Sequence, residues 1–390
     1  MIRTTVFDVL IVYSNGLCAS ASSLSKDVSE PFAKGSNIES YNIVYGYFLK
    51  TCQRNNVSAA FTTSSDIIGP GQCKSYWLFK KNTWVKVRKT GYSTVIFDKF
   101  SPVTKSARMK RDLLFSSSVI KPFNHPDIFN LFFDKQKAYA KLSQFSIPTV
   151  TIENSTTNSI RCACKKLQAI VTLHIHKSDF SDEIVMKDRF GAGGLNVYKF
   201  KKGQEKKMKD AMEKNTDISY VIQPLVKFDR GFRYRNIPVS TDIRLIYLGG
   251  KIIQTYLRMA KVGEFRCNEH QGGLLKYVPK NEVPINVVDV SNKISKILNN
   301  KSSLYALDFI ISNNGNIYLL EGNTGPGLDW NLSLKENEIE AQKLIRIIVK
   351  QLTKLAKPTV KTTEKEDQFV IPRSDSIDTY PITPTLQLAT

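Results

Sequence analysis

The stretch LYALDFIISNNGNIYLLEGNTGPG, residues 304 to 327, constrains the fold of this chain more than any other. Two apolar runs flank Asn314-Gly315, a strong short-range signal for a β-hairpin. Taken as the two central turn residues, they set Asn313 against Asn316. Counting back along both strands then places Asp308 directly opposite Glu321. Side chains alternate along a strand, so Asn323 falls on the face of Glu321. Residues opposed in this way have Cβ atoms about 4.5–5.5 Å apart, and like charges there repel. A divalent cation between the carboxylates, with the Asn323 carbonyl as a third oxygen, would offset the repulsion. Mg²⁺ suits such a set because it binds one or two carboxylates and keeps positions for water and phosphate. The alternative is an exposed face whose charges are solvated or paired with Arg or Lys. The hairpin alone leaves both open. Without an ion, the repulsion predicts that Asp308→Asn keeps the fold and slightly stabilises it, by roughly 0.2–1 kcal/mol.

A chain of 390 residues with 42% hydrophobic residues can bury substantial cores and has room for two or three lobes. No apolar run approaches the ~18–20 residues of a membrane span. The opening MIRTTVFDVLIVYSNG is interrupted by Asp8 and reads as a first strand entering a loop, rather than a signal peptide. Cys18, Cys52, Cys73, Cys162, Cys164 and Cys267 are scattered without zinc-type spacing, which predicts a reduced, cytoplasmic protein. The net charge of +21 belongs to the body, because residues 357–390 carry four basic against five acidic residues. Such basicity fits nucleic acid, an anionic peptide or a lysine-rich proteome, and does not choose among them. Nucleic acid is not favoured, and oligomeric state is not legible.

The pattern predicts strands at 9–14, 184–190 and 219–228, and helices at 37–56, 125–146 and 336–356. A hairpin turns at Gly249-Gly250. Lys187 ends a strand just before GAGG, where glycines let backbone N–H groups approach phosphate oxygens. Alone, such a turn is more often a plain hairpin. The stretch 242–273 carries Arg244, Arg258, Lys261 and Arg266, forks and point charges suited to a polyanion, or simply a basic exposed hairpin. After residue 356 the composition is that of a flexible tail.

Together, VMKDRFGAGG, AKVGEFRCNEHQGG and LDFIISNNGNIYLLEGNTGPGL resemble the ATP-grasp superfamily, most closely its RimK-type ligases, over about residues 120–355. The resemblance implies an α+β or α/β ATP-grasp fold with an N-terminal α/β lobe and two lobes that clamp nucleotide. It implies ATP and Mg²⁺, with Mn²⁺ as the alternative ion. Metal ligands would be Asp308, Glu321 and Asn323. Nucleotide contacts would come from Lys135, Lys187, Gly191, Gly193, Gly194, Gln223, Pro224, Leu225 and Asn268. Arg258 and Arg266 would be catalytic, facing the transferring phosphoryl group. The chain differs from the family pattern at Lys187-Asp188, where Lys-Pro is usual, and at Gln223-Pro224, where an acid and a backbone donor are common. The link 229–240 is also longer, and residues 1–120 match only loosely.

The implied lobes are 1–120, 121–225 and 226–356, with 357–390 as the tail. The implied activity is ATP-dependent ligation of a carboxylic acid to an amine through an acyl phosphate, with a peptide or protein among the acceptors considered and no membrane partner. The rivals are a non-catalytic module binding an anionic polymer and a kinase that forms no amide.

Overall fold

The computed structural model describes residues 4–268, 272–299, 303–328 and 334–357. The expected tail lies outside these residues, apart from Lys357. Val9–Tyr13, all buried, forms the centre of a six-stranded sheet with Ala59–Thr63 and Val95–Lys99 in parallel on either side. Lys121–Pro122 extends the parallel edge, and the hairpin Tyr76–Lys80/Thr83–Val87 closes the other. Lys81 and Asn82 both adopt positive φ in that hairpin's two-residue turn, as a type I′ turn requires. A second, four-stranded sheet of short strands lies in the same region.

Two antiparallel sheets follow. One has the order Val150–Ile152, Tyr220–Val226, Phe180–Asp188, Val197–Lys201. Helices Thr157–Leu173 and Glu205–Glu213 cover it through Ile160, Leu167, Met208 and Met212. The other has the order Leu274–Tyr277, Lys251–Met259, Thr241–Leu248, Leu304–Ile311, Ile317–Asn323. Helix Ile285–Leu298 packs on one of its faces. The last helix, Lys335–Ala356, buries Ala341, Leu344, Ile345, Ile348, Val349 and Leu352. That spacing is one helical stripe. It meets Val44, Tyr45 and Phe48 of helix Tyr41–Arg54, and joins the first and last sheets in one core.

Three local expectations are corrected. The predicted helix 125–146 is two helices, Pro126–Phe133 and Lys135–Leu142, because Asp134 is extended and caps the second by accepting from the Gln136 N–H at 3.0 Å. The hairpin turn at Asn314-Gly315 is a three-residue loop, closed by Ser312 N–H donating to Asn316 O at 2.8 Å. A bulge at Leu320 then restores the pairing of Asp308 with Glu321. Helix Lys105–Leu114 was not predicted: four of its ten residues are Lys or Arg and only Leu114 is buried, so it offers little apolar surface.

The long link 229–240 is held at Gly231, where an added Cβ would lie 1.9 Å from the Ile311 carbonyl oxygen. Tyr234 anchors it further by donating to Glu282 at 2.9 Å. Gly231→Ala must lift the link off the strand, and is expected to cost about 1–3 kcal/mol. Urea denaturation would show it, and an unchanged midpoint would mean the link is not held there.

Candidate functional site

The antiparallel ladders bring a charged cluster to one face of the five-stranded sheet. Asp242 lies opposite Arg258, and Arg244 lies opposite Asp308, on neighbouring strands. The Arg258 Nε and Nη2 groups donate to the two Asp242 oxygens at 2.7 and 2.9 Å. Nη2 also donates to Asp308 at 2.8 Å. Arg244 grips Asp308 with both tines of its fork, Nε on Oδ1 and Nη2 on Oδ2. Asp308 is only 1% exposed. Burial pushes its carboxyl up, but Arg244 and Arg258 outweigh burial and hold it below its ordinary range. Burial raises Asp242 against the pull of Arg258, with Asp308 adding to the rise.

The expected repulsion between Asp308 and Glu321 is therefore offset by side chains. The two carboxylates are opposed as expected, yet Asp308 sits on two arginines and Glu321 lies 3.4 Å from Lys135 Nζ. Arg244 was legible only as part of a basic hairpin, and Asp242 was not singled out.

Beside this cluster the glycine-rich turn and the strand of Gln223 form the other wall of a cleft of about 840 Å³, counted out to its open mouth. Lys135, Lys187, Gly191, Gly194, Glu321 and Arg258 line it. Gln223, Pro224, Leu225, Arg266 and Asn268 do so as well. Gly193 shares the turn, and with Gly194 adopts positive φ, 72° and 74°, which glycine accepts without a Cβ penalty. Lys135 Nζ donates to the Gly191 carbonyl, tying the turn to the wall that carries Glu321. Pro224 sits where the ladder to Phe180–Asp188 shifts register, a place where a strand tolerates a missing N–H. Gln223 turns its amide away, donating to Thr149 Oγ1 at 2.8 Å.

Lys187 is buried, and its ammonium is lowered to about 8: burial lowers it most, Lys135 adds to the fall, and Glu321 and Asp308 oppose it. Arg266 Nε is buried without a hydrogen-bond partner among the described residues. Buried donors of this kind call for an acceptor from a ligand or solvent. Lys135, Lys187, Arg244 and Arg258 stand with Asp188, Asp242, Asp308 and Glu321, four cations to four carboxylates, and Arg266 adds a fifth cation 3.6 Å from the half-exposed Glu264.

The residues also fit a hard cation by donor type. Asp308, Glu321 and Asn323 offer two carboxylates and an amide oxygen, but Arg244 and Arg258 donate to both Asp308 oxygens, Lys135 Nζ lies 3.4 Å from Glu321, and the Asn323 atom that meets Asp308, at 3.4 Å, is Nδ2. Among the described residues no group of three or more His, Cys, Asp or Glu gathers to hold a metal. None of the six cysteines is in a disulfide. No helix among the described residues is long and apolar enough to cross a membrane.

The chain is similar to a protein of Hydrogenovibrio crunogenus named probable alpha-L-glutamate ligase, 28% identical over 141 residues, which are 35% of this chain and 39% of the relative. A second of that name, from Shewanella denitrificans, is 32% identical over 118 residues, covering 30% of this chain and 37% of the relative. The chain thus spans less than two fifths of the length of these relatives. Among solved structures, the D-Ala:D-Ser ligase VanG of Enterococcus faecalis matches with a TM-score of 0.55 at 13% identity, covering 91% of this chain and all of that one. The D-alanyl-alanine synthetase A of Vibrio cholerae matches with a TM-score of 0.52 at 14% identity, covering 90% and 99%. At these identities the likeness is one of fold. A sequence model of the RimK-like ATP-grasp domain matches residues 134–348, more than half of the chain and the whole of the cleft described above, and the chain belongs to that family.

Proposed function

We propose that the chain is an ATP-dependent ligase that joins a carboxylic acid to an amine through an acyl phosphate. The observation that carries this reading is the convergence of Lys135, Lys187, Arg258 and Arg266 with Glu321 on one cleft walled by a glycine-rich turn. In this reading the N-terminal lobe ends near residue 120, and the two clamping lobes meet near residue 225.

Lys135, Lys187 and the turn hold the ATP phosphates, and the strand of Gln223 to Leu225 meets the base. A substrate carboxylate oxygen attacks the γ-phosphorus, the bond to the β-phosphate oxygen breaks, and ADP leaves. Arg266, with its free buried Nε, stabilises charge on the transferring phosphoryl group, and Arg258 supports it from behind while fixed by Asp242 and Asp308. An amine then attacks the acyl carbon, the C–N bond forms, and the C–O bond to phosphate breaks as the amine loses its proton. Asp308, Glu321 and Asn323 would hold Mg²⁺, or Mn²⁺ in its place, and the ion would neutralise phosphate charge.

The name shared by the relatives makes L-glutamate the first amine to try. The enzyme, Mg·ATP, L-glutamate and a panel of carboxylic acids and peptides are expected to give ADP, phosphate and an amide product detected by mass. Hydroxylamine in place of the amine should yield a hydroxamate. ADP with a stable phosphorylated product and no hydroxamate would make the chain a kinase. Failure of the wild type to bind Mg·ATP would overturn the reading.

A further inference from the structure

Asp188, in the place where the family usually has proline, and the two residues after it fasten the glycine-rich turn. Asp188 Oδ1 accepts from the Phe190 N–H at 2.8 Å and bends the chain out of its strand. Arg189 then reaches across to Asp134, with Nε and Nη2 each 2.7 Å from a carboxylate oxygen. Asp134 is 4% exposed and is the residue that separates the two helices before Lys135. The Lys135 N–H donates back to the Arg189 carbonyl at 3.2 Å. Next in sequence, the Phe190 ring stacks on Phe133 with centroids 5.1 Å apart, and Phe133 stacks on Phe129 at 5.7 Å. The Arg111 guanidinium lies 3.6 Å from the Phe129 centroid and is itself held by Asp98 at 3.1 Å. A chain of three stacked rings with an arginine at each end thus runs from the N-terminal sheet to the glycine-rich turn.

We propose that Arg189 and Phe190 are positioning residues that clamp the glycine-rich turn onto the Asp134-Lys135 junction, and so set the affinity of the cleft for the phosphates of a nucleoside polyphosphate. A bidentate guanidinium–carboxylate pair fixes orientation as well as distance, and a planar ring stacked beside it removes the remaining freedom of the turn. A turn ordered in advance gives up less freedom when phosphate arrives, so affinity rises without a new contact to the ligand. Neither Arg189 nor Phe190 lines the cleft. Their effect passes through Lys135, whose ammonium donates to Gly191 and whose backbone bonds Arg189.

The inference rests on the reading of the cleft as an ATP site, and the experiment separates the two. Calorimetry with Mg·ATP, competition with adenosine, and amide hydrogen exchange of residues 189–194 without nucleotide would be measured for wild type, Arg189→Met, Arg189→Lys and Phe190→Ala. Arg189→Met and Phe190→Ala are expected to weaken Mg·ATP at least tenfold and to speed exchange in the turn. Affinity for adenosine, which has no phosphate for the turn to hold, should stay within twofold. Arg189→Lys keeps the charge without the fork and should fall between. Unchanged Mg·ATP affinity in Arg189→Met and Phe190→Ala, with the wild type binding normally, would overturn the clamp alone. A loss of adenosine affinity in the same proportion would also overturn it, by showing a general loss of structure. A wild type that binds no Mg·ATP overturns the ATP site, and the clamp as a nucleotide device falls with it.

Discussion

Asp308→Asn is expected to destabilise the protein by about 3–5 kcal/mol and to abolish turnover. The first part reverses what opposed carboxylates predict by themselves. Asp308 is buried, and both of its oxygens are taken by the guanidinium groups of Arg244 and Arg258, themselves almost fully enclosed. Removing one partner of a buried pair leaves the other's charge uncompensated, and that cost exceeds any relief of repulsion from Glu321, which Lys135 already tempers. Asparagine keeps the shape and one acceptor oxygen, so the loss is of charge, not of volume. Because both arginines lean on Asp308, their forks would lose their orientation toward the cleft, and the candidate metal set would lose a carboxylate. Chemical denaturation of the two proteins, with ADP release under ligation conditions, checks both parts. An equal or higher midpoint for Asp308→Asn would show that the arginines find other partners. Full ADP release would remove Asp308 from the site.

This sign was not legible in the sequence because it comes from Arg258, placed by a bulge, and from Arg244, placed by long-range strand pairing. Asn-Gly correctly announces a hairpin, and Asp308 does face Glu321, but through two departures that cancel. The loop holds three residues instead of two, and Leu320 is extra on the returning strand. In the neighbouring hairpin nothing cancels. Gly249-Gly250 sets Leu248 opposite Lys251, and counting onward would place Arg258 opposite Thr241. An extra residue at Ile253 shifts the ladder, so Arg258 meets Asp242. A bulge changes local twist and register through packing of whole strands, and leaves no mark in residue type at the bulged position. The pairing of Arg244 with Asp308 was further out of reach, because it joins strands with some fifty residues, two other strands and helix Ile285–Leu298 between them. Local chemistry told more. The positions of Lys187 and the glycines follow from one strand and one turn, and the amphipathic spacing of 336–356 gave the last helix. That this helix closes the core of the first sheet is a tertiary fact its stripe only permits.

Lys187→Met should move stability in the opposite direction from Asp308→Asn while also removing nucleotide binding. The lysine is buried, and its pKa falls from 10.5 to about 8, so its charge is held in the fold at a cost on the order of 3 kcal/mol. Methionine has similar length, no charge and a flexible thioether that fills such a site. The sign with pH follows from the lowered value. Below about pH 8 the lysine is charged in both folded and unfolded chains, and the folded state bears the full cost. Between about pH 8 and 10.5 the folded chain releases its proton before the unfolded chain does, and the cost fades. Urea denaturation without nucleotide should therefore find Lys187→Met more stable than wild type at pH 7, with the gap narrowing toward pH 10.5. Calorimetry at pH 7 should find its affinity for Mg·ATP reduced at least tenfold, since in the proposed function the buried ammonium is a phosphate partner. A less stable variant at pH 7 would mean that Glu321 and Asp308 stabilise the charged lysine more than burial opposes it, and a gap that does not change with pH would mean that the two balance. The expected result instead is a charge tolerated by the empty cleft at the expense of stability, because a polyphosphate repays it on binding.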